Sequence, residues 1–361
     1  MDGRTAPGTR WLYDRGMQTG NEAEAVWGKL RGTRWNPPPA AAADPARRRT
    51  YVFALEQAEQ MFRAAVGTGV ATRPLLVFYG LSQAGRAVAA ASAGAGGWEL
   101  EGHGITCLSQ TLRGPLSAVR VQAGKEGSTG SFVRLSELLG SPLWPRAEPL
   151  ALSQLWDLLP DNRLTPLDDA GESRRTPLYL DHEVLDPGPH PLVSVPVAYF
   201  PPWLISAADG WALDSYLRAF PDAPPCDSYY RDGRERHSVP DFTRHRDGWG
   251  ELVMNWQLPG GSGSLEDKLG SVRSMTRLYD GARWLFPAAG AAGRSLHPLM
   301  AWWAVLYTLS MLARYQPAEW AGHINIDESR HAVAVESLLK RAMSMVPALI
   351  AEAIDQVAGM V

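Results

Sequence analysis

Seventeen of the 28 prolines fall between Pro142 and Pro259. Proline fixes its φ angle and has no backbone N–H, so it breaks helix interiors and cannot donate to a sheet ladder. The middle of the chain therefore reads as short strands joined by long connections. The flanks, which hold the other 11 prolines, can be helical. This divides the 361 residues into an N-terminal helical part (1–100), a Pro/Gly-rich middle with β-strands (101–264) and a C-terminal helical part (265–361). The fold class expected is mainly α with a Pro-rich α+β middle.

Periodicity fills in the flanks. Tyr51, Leu55, Ala58, Phe62 and Ala65 recur every three or four residues, one apolar face of a helix over Thr50–Val66. Gly67 and Gly69 end it, and Pro74 suits the first turn of a second helix over Leu75–Ala93. Pro298–Tyr315 and Ser329–Val357 read as further helices. All four carry apolar stripes too wide to leave in water, so the two ends of the chain are expected to share one helical core. Trp302, Trp303 and Leu306 should meet Phe62, Phe78 and Tyr79 there. In the middle, Ala118–Ala123 and Ser131–Leu135 alternate around a glycine-bearing Gly124–Gly130 and predict a β-hairpin. Leu192–Phe200 and Leu252–Leu258 are further strands.

Charge and cysteine content exclude several functions. Lys+Arg number 35 against 38 Asp+Glu, a net charge of -3, which lacks the basic excess of a general polyanion binder. Two cysteines make neither a disulfide framework nor a Cys-based zinc site. The longest apolar run, Leu299–Ala313, falls short of the roughly 20 residues a membrane span needs. Met1–Gly20 is polar and has no secretory pattern. A cytoplasmic protein without a membrane segment or a cofactor is expected.

Few motifs carry chemistry. LLVFYGLSQAGRAVAA (Leu75–Ala90) nearly matches a nucleophile elbow with Ser82 in the attacking position, but Ala84 stands where the last glycine belongs. It nearly matches a phosphate loop too, with Arg86 and Ala87 in place of Lys and Ser/Thr. A continuous buried helix is the simpler reading. Glu328 and His331 form a single E-x-x-H pair with no second pair to complete a di-iron set. Asp181, His182, Glu183, Asp186 and His190 have ligand chemistry at irregular, proline-broken spacing, so no metal site is assigned. Tyr229–Trp249 interleaves arginines with aromatic residues, but its acidic residues nearly cancel the charge. Arg314, at the end of the apolar helix beside Tyr315, either caps that helix or offers its planar fork to an anion.

Three segments together, RPLLVFYGLSQAGRA (Arg73–Ala87), EGHGI (Glu101–Ile105) and LSMLARYQPAEW (Leu309–Trp320), resemble the YaaC-like proteins of bacteria. Their order and spacing fit from about Trp11 to the carboxyl terminus. The resemblance implies a soluble bacterial protein and brings no catalytic residues with it. The helical parts also look somewhat like HEPN-type all-α domains, a fold-level analogy to RNA cleavage and antiviral defence. Such a domain would carry an arginine and, a few residues later, a histidine on one helix. After Arg314 the next histidine is His323, with eight residues between. Arg231 with His237 and Arg175 with His182 are closer pairs, at a frequency that chance explains.

The expected function is therefore a binding, scaffold or effector component without a catalytic site of its own, working with a protein partner or a second copy. Arg314, Tyr315 and His103 are the candidate anion-binding residues. The alternatives are a HEPN-like RNA binder or ribonuclease using Arg314, Tyr315 and His323, and a serine hydrolase using Ser82.

Overall fold

The computed structural model describes residues 19–94, 97–169, 171–185, 187–188, 190–207, 209–225, 240–258 and 263–359. Arg231, His237, Asp186 and the first part of the Tyr229–Trp249 segment lie outside them. The helices of eight or more residues are α1 (Thr19–Trp35), α2 (Pro45–Val66), α3 (Arg73–Ala91), α4 (Ser131–Leu138), α5 (Gly210–Leu217), α6 (Leu265–Met275), α7 (Pro298–Tyr315), α8 (Pro317–Ile324) and α9 (Ala332–Val357). The strands are β1 (Ile105–Cys107), β2 (Arg120–Ala123), β3 (Leu150–Ala151), β4 (Leu178–Leu180), β5 (Leu192–Phe200), β6 (Thr243–Arg244), β7 (Gly250–Gln257), β8 (Arg277–Tyr279) and β9 (Ala282–Leu285). The chain divides into two compact units. The first takes Met1–Trp156, Leu164–Leu167 and His297–Val361, and the second Asp157–Arg163 and Asp168–Leu296.

In the first unit, the Asp44 carboxylate accepts from the N–H groups of Ala46 and Arg47 and so starts α2, with Pro45 in its first turn. At the other end the Arg73 guanidinium donates to the carbonyls of Ala65 and Thr68, and closes the turn into α3. These two helices form the αα-hairpin that the periodicity predicts. On α3 pack α7 and α9 from the far end of the chain. Phe78 meets Trp303 edge-on, ring centroids 6.0 Å apart, and Tyr307 at 5.3 Å. Phe62 turns instead to Trp27 of α1, at 5.5 Å. The two ends therefore share a core across more than 200 residues of sequence.

The glycines of the GLSQAG stretch serve this packing. A Cβ on Gly80 would lie 2.8 Å from the Phe62 ring, and one on Gly85 would lie 2.8 Å from both Trp303 and Leu135. The whole segment sits on one helix, so the nucleophile-elbow reading of Ser82 is wrong: no strand precedes it and no sharp turn presents its hydroxyl. Among the described residues, no histidine is hydrogen-bonded to Ser82 either.

The predicted hairpin also needs correction. β2 pairs antiparallel with β1 and β3, in register Ile105↔Ala123 and Val121↔Leu150, while Ser131–Leu138 is helix α4. Its buried residues Phe132, Val133, Leu135 and Ser136 follow helical spacing, which five residues of sequence could not separate from alternation. The backbone reason is a crossing of glycines. Gly124 N–H donates to the Gly104 carbonyl at 2.8 Å, and a Cβ on Gly130 would come within 2.4 Å of the Gly104 Cα. Only paired glycines allow two chain segments to pass so closely.

The second unit is built on a six-stranded antiparallel sheet in the order β6-β7-β5-β4-β9-β8. One face buries Val193, Val195 and Val197 with Leu252, Met254 and Trp256, covered by Leu213 and Tyr216 of α5 and Val272 and Met275 of α6. The opposite face carries a smaller cluster of Ala198, Tyr199, Trp249, Tyr179 and Trp284. The long strands β5 and β7 match the two predicted in the proline-rich middle. Glu328 and His331, by contrast, precede α9 and do not share a helix turn. Among the described residues, no three His, Cys, Asp or Glu side chains could hold one metal ion, and no helix is long and apolar enough to cross a membrane.

Candidate functional site

The end of α7 and the middle of α3 meet at one polar position in the first unit. The Arg314 guanidinium donates to the phenolic oxygen of Tyr79 and lies over the ring of Tyr315, 4.9 Å from its centroid. Arg314 and Tyr315 are exposed, and Tyr79 is half-buried. No carboxylate of the described residues pairs with Arg314. Arg31, Arg34, Arg63, Arg134, Arg163 and Arg174 each hold an Asp or Glu, whereas Arg47, Arg73 and Arg86, like Arg314, have no carboxylate partner among the described residues, but they donate to backbone carbonyls.

His103 joins the same cluster through its neighbours. Its ring stands 5.7 Å from Phe78, which precedes Tyr79 on α3, and 5.6 Å from Tyr307, two helical turns before Arg314 on α7. The EGHGI segment holds it there by backbone. Gly102 and Gly104, on either side, have φ of +68° and +67°, a left-handed conformation that glycine adopts freely. The His103 carbonyl accepts from Phe132 N–H at 2.9 Å, which fixes the segment to the start of α4. Burial pushes the His103 imidazole below the usual histidine range, and the Arg314 charge pushes it the same way. The ring is therefore neutral at pH 7, with a nitrogen free to accept or donate.

Further in, burial raises the Tyr307 hydroxyl well above the usual phenol range. Burial likewise pushes the Cys107 thiol up to about 12, against a hydrogen bond to Thr308, so Cys107 is no nucleophile. Ser82, Gln83 and Arg86 continue the Tyr79 face of α3 at helical spacing, and Arg86 donates to the Leu100 carbonyl at 3.2 Å.

His323 lies apart from this arrangement in its chemistry. It belongs to α8, which Pro317 starts after the break at Gln316, whereas Arg314 ends α7. Its Nε2 is buried and has no hydrogen-bond partner among the described residues, and burial lowers its basicity. On the same helix Trp320 donates to the Ala71 carbonyl at 3.0 Å and ties α8 to the turn before α3.

The three sequence segments singled out above thus supply Tyr79, His103 and Arg314 to one cluster. The family model described as YaaC-like Protein matches residues 29–354. The chain belongs to the YaaC-like family. Neither curated proteins nor solved structures gave a match to this YaaC-like chain. Tyr79, the acceptor that orients Arg314, was missed at the sequence level as a site residue. Its signal was a phenol placed in an otherwise apolar stretch of the first motif, where it read only as core.

Proposed function

We propose that this YaaC-like chain works by binding, and that its first unit receives an oxyanion group such as a phosphate at Arg314. The observation that carries the reading is the missing carboxylate: a guanidinium oriented by Tyr79 and Tyr315 with no acidic partner among the described residues. An arginine fork in that state has donors left for a planar or tetrahedral anion. His103 adds a neutral nitrogen nearby, and the charged group of the described residues that acts on it is Arg314. With a net charge of -3, attraction would be local to this cluster, not a property of the whole surface.

The test is a calorimetric titration of the full chain with inorganic pyrophosphate. Wild type should bind in the millimolar range or tighter, and Arg314→Ala should weaken binding about tenfold or more. Equal heats for the two proteins would overturn the reading.

RNA as the phosphate carrier is a second reading, favoured by the half-exposed Tyr315 ring beside the guanidinium, a surface on which a base can stack. Cleavage of RNA by a HEPN-type pair draws no support from Arg314 and His323, which stand on successive helices. Anisotropy of a labelled single-stranded RNA with wild type and Tyr315→Ala separates a nucleic-acid ligand from a small phosphate.

A further inference from the structure

A cavity of about 710 Å³ opens in the first unit where α1, α2 and the first turns of α9 meet, beside the turn into α3. Its size falls within the roughly 300–1,000 Å³ of small-molecule pockets. The floor is apolar. Trp27 of α1 and Phe62 of α2 line it with ring centroids 5.5 Å apart, and Val66 and Met343 stand at its sides. The core fixes both rings, which are only 4% and 1% exposed. None of the lining residues belongs to the Arg314 cluster.

The rim is charged, and its charges are unevenly matched. Both Glu24 oxygens accept from Arg63, at 2.9 and 2.8 Å. Arg31 and Glu59 complete a closed group of two cations and two carboxylates. Arg73 and Lys340 differ. The Arg73 guanidinium spends Nε and Nη2 on the Ala65 and Thr68 carbonyls, and no described residue accepts from its Nη1. None accepts from the Lys340 ammonium either, although Glu336 stands one turn before it on α9. With Glu24 and Arg63 paired, two cations face one carboxylate across this rim.

The floor holds a further unspent donor. No group of the described residues accepts from the Trp27 indole N–H. A buried tryptophan N–H usually finds a partner, as those of Trp144, Trp156 and Trp320 do on the carbonyls of Val121, Thr165 and Ala71. Trp203 and Trp303 also lack one, but their nitrogens are fully enclosed, whereas Trp27 lines open space. A buried donor left unpaired is costly. An indole N–H, a guanidinium Nη1 and an ammonium thus belong to one apolar cavity whose own acceptors do not use them.

We propose that this cavity binds a small organic acid, an alkyl or aryl body ending in one carboxylate. The body would lie against Trp27, Phe62 and Met343, where burial of apolar surface drives binding. The carboxylate would accept from Arg73 and Lys340 in charge-assisted hydrogen bonds. The excess of cations and of unspent donors selects an anion over a cation or a neutral ligand. Glu336, the one unmatched carboxylate, opposes that anion and moderates its affinity.

The test titrates the full chain with octanoate, 4-phenylbutyrate and the neutral amides of both, followed by ligand-observed NMR. At least one acid should bind, and its amide should bind about tenfold more weakly or not at all. Lys340→Glu, a change at an exposed position, should weaken the acid about tenfold or more. Glu336→Gln should tighten it, an effect that a merely structural role for this residue would not produce. Trp27→Phe, which keeps a ring in the floor and removes the N–H, should weaken it several-fold. Equal binding of acid and amide, undiminished binding by Lys340→Glu, or binding of neither acid would overturn the proposal.

Discussion

Arg314 donates a hydrogen bond to Tyr79, a residue 235 positions earlier in the chain. The bond joins the end of α7 to the middle of α3 at the edge of a core that both helices build. A guanidinium that spends one donor on a phenol keeps its positive charge and its remaining donors for something else. Tyr79→Phe should therefore change stability by less than about 1.5 kcal/mol, since the bond lies at the surface. It should weaken pyrophosphate binding several-fold, because Arg314 loses its orientation. Thermal melts and calorimetry on the same preparation separate the two effects.

Gly85→Ala sets two effects against each other. Alanine is the better helix former by roughly 1 kcal/mol, but its Cβ would come 2.8 Å from Trp303 and Leu135. Overpacking of this kind costs about 1–3 kcal/mol, and both obstructing side chains are fully buried. The variant should be net destabilised, measured as a lower urea midpoint. Trp303→Ala alone should cost about 3–5 kcal/mol, and in combination with Gly85→Ala the penalty of the added methyl should shrink to what Leu135 still imposes.

Legibility in the sequence followed length and period. Arg73–Ala91 and Pro298–Tyr315 run for 19 and 18 residues, long enough for helical spacing to be unmistakable, and Leu192–Phe200 alternates from Leu192 to Val197 before its last residues are all buried. Ser131–Leu135 is too short for that distinction, and its helix is set by the crossing of Gly130 over Gly104, a contact between distant segments. Arg314 and His103 could be singled out by residue type, but their convergence depends on α3 and α7 packing side by side. The cavity over Trp27 was illegible for a similar reason. Its walls come from α1, α2 and α9, and only their packing sets Arg73 and Lys340 around the indole.

The shared core predicts the behaviour of a fragment. Residues 1–140 contain α1 to α4 but lack α7 and α9, which cover α3. The fragment exposes Phe78, Leu81 and Val88, all fully buried in the full chain, and should not show a cooperative melt. A sharp thermal transition with full helical signal would contradict the shared core.

A buried carboxyl gives the second unit a pH dependence. Burial pushes Asp157 up to about 6 from a usual 3.8, and Arg174, 2.8 Å away, opposes the shift. Because the folded value lies above the unfolded one, the contribution is full below pH 3.8 and is lost as pH rises through about 6. At about 1.4 kcal/mol per pH unit, it amounts to about 3 kcal/mol. Urea midpoints between these limits should fall with rising pH in wild type, relative to Asp157→Asn.

His103 connects pH to the oxyanion site. Burial and Arg314 hold it neutral at pH 7, so on acidification it becomes a second cation beside the guanidinium. A bound anion favours the protonated ring, and by linkage protonation favours the anion. Sulfate keeps its charge over this range, so its affinity should rise as pH falls through and below the usual histidine range. His103→Gln should flatten that rise.

The most direct measurement of the central claim is the anomalous signal of tungstate soaked into crystals of wild type and Arg314→Ala. A peak within hydrogen-bond reach of the Arg314 guanidinium and the Tyr79 hydroxyl, present in wild type and lost in the variant, is the predicted result. No peak at Arg314, or an unchanged peak in Arg314→Ala, would contradict an oxyanion site there.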